Sequence, residues 1–132
     1  MFNYRNEASF SNALCKAMRN KGWFIQRIES GTTGKGIPDI YSISPQCTAI
    51  WFELKRVHHN CGPVEQIPWR PGQQAWLRDV VNRSQSALTL VAFNDCILVI
   101  SHLKVFHDNT VQVAGVDAPL CTKYKNFKEL LG

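Results

Sequence analysis

No stretch of this 132-residue chain approaches the ~20 consecutive apolar residues that a membrane-spanning helix needs. The opening residues, Met1-Phe2-Asn3-Tyr4-Arg5-Asn6-Glu7, hold no apolar signal core. Both absences predict a cytoplasmic protein with no membrane partner. A disulfide framework is missing too. The five cysteines (15, 47, 61, 96 and 121) are scattered, odd in number and never spaced as CxxC, which predicts reduced thiols. There is no internal repeat and no low-complexity segment. Acidic side chains are the scarcer charge, 10 against 15 Lys and Arg, for a net +5. That sign favours a polyanionic partner, although charge alone fits a basic protein with no nucleic-acid role equally well. The length suits one domain, 1–132, with a core that needs no covalent staples.

The most informative stretch runs from Gly36 to Lys55. Two apolar runs, Ile37–Ile43 and Ala49–Lys55, flank Ser44-Pro45-Gln46 and predict a β-hairpin. Strand alternation sends Ile50, Phe52 and Leu54 to one face and Trp51, Glu53 and Lys55 to the other. A carboxylate and an ammonium thus share the end of an apolar strand, where charge is costly to hold without a partner or a task. Asp39, at the start of the neighbouring strand, reaches the same end of the sheet. Two carboxylates and a lysine there are suited to holding a divalent cation and positioning a water. The plainer alternative is a solvated ion pair of little energetic value.

Upstream, Phe10, Ala13, Leu14, Ala17 and Met18 form one stripe of a helix over about Asn6–Asn20, which Gly22 stops. Trp23–Ile28 reads as a strand. The glycine-rich segment Glu29–Gly36 is either a flexible connector or a loop whose amides, hydroxyls and Lys35 meet a phosphate. A loop of fifteen residues with three prolines, Val57–Pro71, follows the hairpin. Its His58, His59 and Cys61 lack a second ligand pair at zinc spacing. Arg56, His58, Trp69 and Arg70 are candidates for phosphate contact or base stacking. Pro71 opens a helix over Gly72–Val81, with Trp76, Leu77, Val80 and Val81 on its buried face. Ala87–Phe93 and Cys96–Ile100 flank Asn94-Asp95 as a hairpin of two fully buried strands. Beyond Ser101 the periodicity fades, with a short helix or edge near Leu103–Phe106, a brief strand over Thr110–Ala114 and a basic helix over Lys123–Leu131.

Pro38-Asp39, thirteen intervening residues and Glu53-Leu54-Lys55 resemble the signature of the PD-(D/E)xK metal-dependent nucleases. With Gln-x-x-Trp-Leu in the next helix, the set is similar to the VRR-NUC branch. The Ser/Gly-rich loop before Asp39 is similar to that of archaeal-type Holliday-junction resolvases. The resemblance covers roughly Glu7 to Phe93 and implies an α/β, restriction-endonuclease-like sandwich with a central mixed β-sheet flanked by helices. It implies that Asp39, Glu53 and the Leu54 carbonyl hold Mg²⁺ or Mn²⁺, and that Lys55 orients or deprotonates the attacking water. By the same match Gln73 faces the site, with Gln74 as the register alternative, and Ser30 contacts DNA. Glu7 is either a third carboxylate, for one metal ion or a second, or a residue that stabilises the helix dipole or caps the helix.

The function implied is hydrolysis of DNA phosphodiesters at branched structures, junctions above all, by a homodimer serving recombination or repair, often in viruses. A flap or nicking nuclease is the enzymatic alternative. A catalytically idle DNA-binding module on the same fold is the other.

Overall fold

A computed structural model describes residues 4–28, 36–60, 67–83, 85–101 and 121–132. The order is α1 (Glu7–Asn20), β1 (Phe24–Arg27), β2 (Ile40–Ile43), β3 (Ala49–Arg56), α2 (Gln73–Asn82), β4 (Ser86–Ala92), β5 (Ile97–Ser101), β6 (Cys121–Tyr124) and α3 (Phe127–Leu131). The strands form one six-stranded sheet in sequence order. Among the described strands only β3 and β4 run parallel, and α2 lies in the crossover between them. Helices α1 and α3 lie over one face and α2 over the other, an α/β architecture around a mixed sheet. No helix among the described residues is long and apolar enough to cross a membrane.

Helix α1 begins where Asn6 and Ser9 cap each other reciprocally, each side chain accepting the other's backbone N–H. Glu7 is thereby relieved of any capping role. The helix buries Phe10, Leu14, Cys15 and Met18 against Ile25, Ile40, Phe52, Leu54 and Leu90 of the sheet. Gly22, at φ +91°, ends it with bonds typical of a left-handed stop. On the opposite face Leu77 of α2 packs with Ala87, Val91, Phe93, Leu98 and Ile100. The expected burial of β4 and β5 follows from these two layers.

The pairing of β2 with β3 stops at Ile40↔Phe52, while β3 continues beside β4 to Arg56↔Ala92. The last four residues of β3 therefore stand beyond the end of β2, and the chain leading into β2 lies there instead. That chain is pinned at Gly36, where φ is +89°. A Cβ on Gly36 would sit 2.6 Å from the carbonyl carbon of Gly72, the left-handed N-cap of α2. This backbone approach joins the segment before Asp39 to the start of α2.

Several boundaries differ from expectation. Pro71 precedes the N-cap, because Gly72 at φ +87° delays the helix to Gln73. The tail is not one helix from Lys123. Residues 121–124 pair with β5, and only Phe127–Leu131 are helical, behind an Asn126 cap. Expectations for 103–106 and 110–114 lie outside the described residues, as do Ser30, Lys35 and Cys61.

Gly36→Ala is expected to destabilise the fold by more than about 1 kcal/mol, since left-handed backbone alone costs an alanine roughly that much. Urea denaturation checks it, and a midpoint equal to wild type would show that the two backbones lie further apart.

Candidate active site

Asp39 sits half-buried opposite the unpaired end of β3. Its carbonyl accepts the Ile28 N–H at 2.8 Å, and its carboxylate Oδ2 accepts the Leu54 N–H at 2.8 Å. The side chain thus continues the β2–β3 ladder where the β2 backbone has left it. Glu53 and Lys55, each 1% exposed, lie on the α2 face of the same strand end. The Lys55 ammonium is 3.5 Å from Glu53 Oε2. Above it the Trp69 ring centroid lies 6.0 Å from Nζ, within reach of a cation–π attraction.

Gln73 completes the arrangement. It is the first residue of α2 and only 6% exposed. Its Nε2 donates to Glu53 Oε2 at 2.8 Å, and its Oε1 accepts the Arg70 backbone N–H at 2.8 Å. The second bond fixes the amide's orientation, because only the carbonyl oxygen can accept from that N–H. Gln73, not Gln74, is therefore the residue that meets the Glu53 carboxylate.

The other carboxylate oxygen, Glu53 Oε1, is buried with no hydrogen-bond partner among the described residues. Burial first, and then the neighbouring charge of Asp39, push the Glu53 carboxyl up to about 8, against the opposing pull of Lys55. Glu7 opens α1 on the other side of the strand end. Its carboxyl is also raised, first by burial; Lys55 lowers it, Asp39 raises it and Arg70 lowers it. Glu7, Asp39 and Leu54 line a cavity of about 440 Å³ together with Ala8, Ser11, Arg27 and Ile28. This cavity is the open side of the carboxylate group, whereas Glu53 and Lys55 are buried, with the Trp69 ring near the Lys55 ammonium.

The oxygen donors fit a hard divalent cation: a buried carboxylate oxygen lacking a partner, a second carboxylate one strand away and a third on the cavity wall. Among the described residues no group of three or more His, Cys, Asp and Glu is arranged to hold a metal by side chains alone. Backbone carbonyl and water would complete the shell, as is usual for Mg²⁺. Zinc at the loop gains no support. His59 Nδ1 lies 2.8 Å from the Asn60 carbonyl and its ring packs on Phe93, while His58 points to solvent.

Arg56 corrects the sequence reading. Expected at the DNA surface, it is 9% exposed, and its guanidinium donates to the carbonyls of Tyr4, Val57 and Ala92 and to Asn94 Oδ1. It ties the segment before α1 to the ends of β3 and β4, and four of its donors are committed. Arg70 remains exposed. Arg27 was missed. It reaches across to Asn12 Oδ1 at 2.7 Å and Ser11 Oγ at 3.1 Å on the cavity wall. Its position two residues after the inward-facing Ile25 was the available signal. No protein-family model matches this chain, and no curated protein matches it. The PD-(D/E)xK resemblance therefore rests on the residues themselves.

A native carboxyl that titrates near pH 8 keeps a proton that the unfolded chain gives up near its ordinary value of 4.5. The Glu53 contribution to stability is thus greatest below about pH 4.5 and is lost as pH rises toward 8. With metal chelated, unfolding free energy should fall between pH 5 and 8, and Glu53→Gln should flatten that slope. An unchanged slope in the variant would place the titration elsewhere.

Proposed function

We propose that this chain is a divalent-metal-dependent DNA endonuclease on a restriction-endonuclease-like sandwich. The observation that carries the proposal is the Glu53 carboxylate, buried beside Lys55 with one oxygen lacking a partner, at the strand end where Asp39 meets Leu54. Holding a charge-bearing group this way is costly unless a cation joins it. The net charge of +5 suits a nucleic-acid substrate.

Asp39, Glu53 and the Leu54 carbonyl would hold Mg²⁺ or Mn²⁺, with Glu7 at the cavity wall available for a second ion. The cation, when bound, lowers the pKa of a water and offsets charge developing on the phosphate. Lys55 orients the attacking water by hydrogen bonding. Attack by the water, which gives up a proton to solvent, forms a new P–O bond; the ester bond to the leaving sugar oxygen breaks, and that oxygen takes up a proton from solvent. Gln73 holds Glu53 Oε2, so that Oε1 would be the oxygen available to a cation. Arg70, exposed at the entrance of α2, contacts the phosphate backbone.

Within this class the proposal extends to branched DNA cut by a cytoplasmic homodimer, two sites about a two-fold axis suiting paired nicks. A catalytically idle DNA-binding module is the second reading, favoured by the 1% exposure of Glu53 and Lys55.

Labelled four-way junction, flap and linear duplex, each with Mg²⁺, Mn²⁺ or EDTA, separate these readings. Metal-dependent product is expected, lost in Asp39→Ala and Glu53→Ala while DNA is still bound. Cleavage retained in either variant contradicts the assignment; bound DNA with no product in wild type selects the idle module. Gln73→Ala should lower kcat about 10–100-fold, the usual cost of losing a group that orients a metal ligand; an unchanged kcat would leave that hydrogen bond with a purely structural role.

A further inference from the structure

The α2 face of the sheet is covered unevenly. Helix α2 packs on β4, and among the described residues no helix covers β1 and β2 on this face. Register and alternation place Phe24, Gln26, Tyr41, Ile43 and Trp51 there, since Ile25, Ile40 and Phe52 of the same strands belong to the α1 core. Phe24 is 53% exposed, the largest exposure of a bulky apolar side chain among the described residues. Tyr41 and Trp51 lie 4.8 Å apart between ring centroids, and Trp76 meets Trp51 edge-on at 4.9 Å. All three are half-buried, with part of each ring reaching solvent.

This aromatic surface is continuous with the carboxylate site. Trp51 is two residues before Glu53 on the same face, Tyr41 two residues after Asp39, and Trp76 one turn beyond Gln73. The rings lie beside the strand end where a cation on Asp39 and Glu53 would hold a phosphate, on the face opposite the Glu7 cavity. No acidic residue interrupts the face along β1, β2 or β3 before Glu53, while Lys21, Arg70 and Arg83 are exposed at the ends of α1 and α2. Aromatic rings offer a polyanion stacking, and Arg70 at the start of α2 offers charge neutralisation.

We infer that this face is a stacking platform for unpaired bases of the DNA strand whose phosphate occupies the site. A base inside a continuous duplex is already stacked on both sides and has no face to offer. Bases at a branch point, flap or gap do. The inference rests on the proposed nuclease reading and sharpens its substrate class: DNA with unpaired nucleotides beside the cut, in preference to continuous duplex. Stacking is worth about 1–3 kcal/mol per base, equivalent to roughly 5–150-fold in affinity.

The test measures binding of fluorescein-labelled oligo-dT of about 12 nucleotides, within the span of one such surface, and of a duplex of the same length. Full-length wild type, Phe24→Ala, Phe24→Tyr and Tyr41→Leu are compared in EDTA at one salt concentration. Phe24 is exposed, so its truncation leaves the core intact. Phe24→Ala and Tyr41→Leu should each weaken oligo-dT binding at least about fivefold, leave duplex binding unchanged and reduce flap cleavage relative to duplex cleavage; Phe24→Tyr should restore all three. Equal losses for both DNAs, or no loss, overturn the platform. A Phe24→Ala protein that changes from dimer to monomer in sedimentation with oligo-dT affinity intact also overturns it, by making the face an interface between copies. Ring-dependent oligo-dT binding without metal-dependent cleavage in wild type sustains the platform and refutes the nuclease. Cleavage indifferent to Phe24 and Tyr41 does the reverse.

Discussion

The hydrogen bond from Gln73 to Glu53 is the constraint on which the geometry of this site depends. It fastens the first residue of α2 to the strand that carries the carboxylate. The Arg70 amide orients the glutamine, and the close approach of Gly36 to Gly72 brings the Asp39 segment to the same helix start. Three separate pieces of chain thereby meet at one strand end. With one Glu53 oxygen occupied by Gln73 and Lys55, the other is left buried and without a partner. Native structures rarely tolerate such an atom, since an unsatisfied buried acceptor costs about 1–3 kcal/mol. A cation is the partner that this arrangement of oxygens suits.

A second constraint holds the other side of the strand end. Arg56 fastens the chain before α1 to β3, β4 and the β4–β5 turn through four hydrogen bonds. Because Glu7 follows three residues after Tyr4, that clamp helps set where its carboxyl meets the cavity. Burial lowers the guanidinium pKa from its usual value, and the three carbonyls and one amide oxygen offset that cost. Strand alternation thus divides the labour. Glu53 and Lys55 face α2, while Leu54 and Arg56 secure the opposite layer.

Much of this was legible in the residues. Period-two alternation in Ala49–Arg56 placed Glu53 with Lys55, and Asn94-Asp95 between apolar runs announced the β4–β5 hairpin, because both signals are local. The helix start was less legible, since Pro71 usually stands inside the first turn and a left-handed Gly72 cannot be foreseen from composition. That one-residue delay decides between Gln73 and Gln74. Arg56 looked like a surface cation because its acceptors, Tyr4 and Asn94, are distant in sequence. Strand β6 was hidden for a similar reason: Cys121–Tyr124 is short and mixed in character, and only pairing with β5 makes it a strand.

The most direct measurement is calorimetric titration of Mn²⁺ into metal-free protein, with wild type beside Asp39→Asn and Glu53→Gln. These variants keep shape and hydrogen-bonding capacity while removing one carboxylate each. Wild type should bind Mn²⁺ and release a proton from Glu53 as it does, with affinity at least about tenfold weaker in both variants. No binding by wild type, or equal affinity in all three proteins, would contradict a cation site at Asp39 and Glu53.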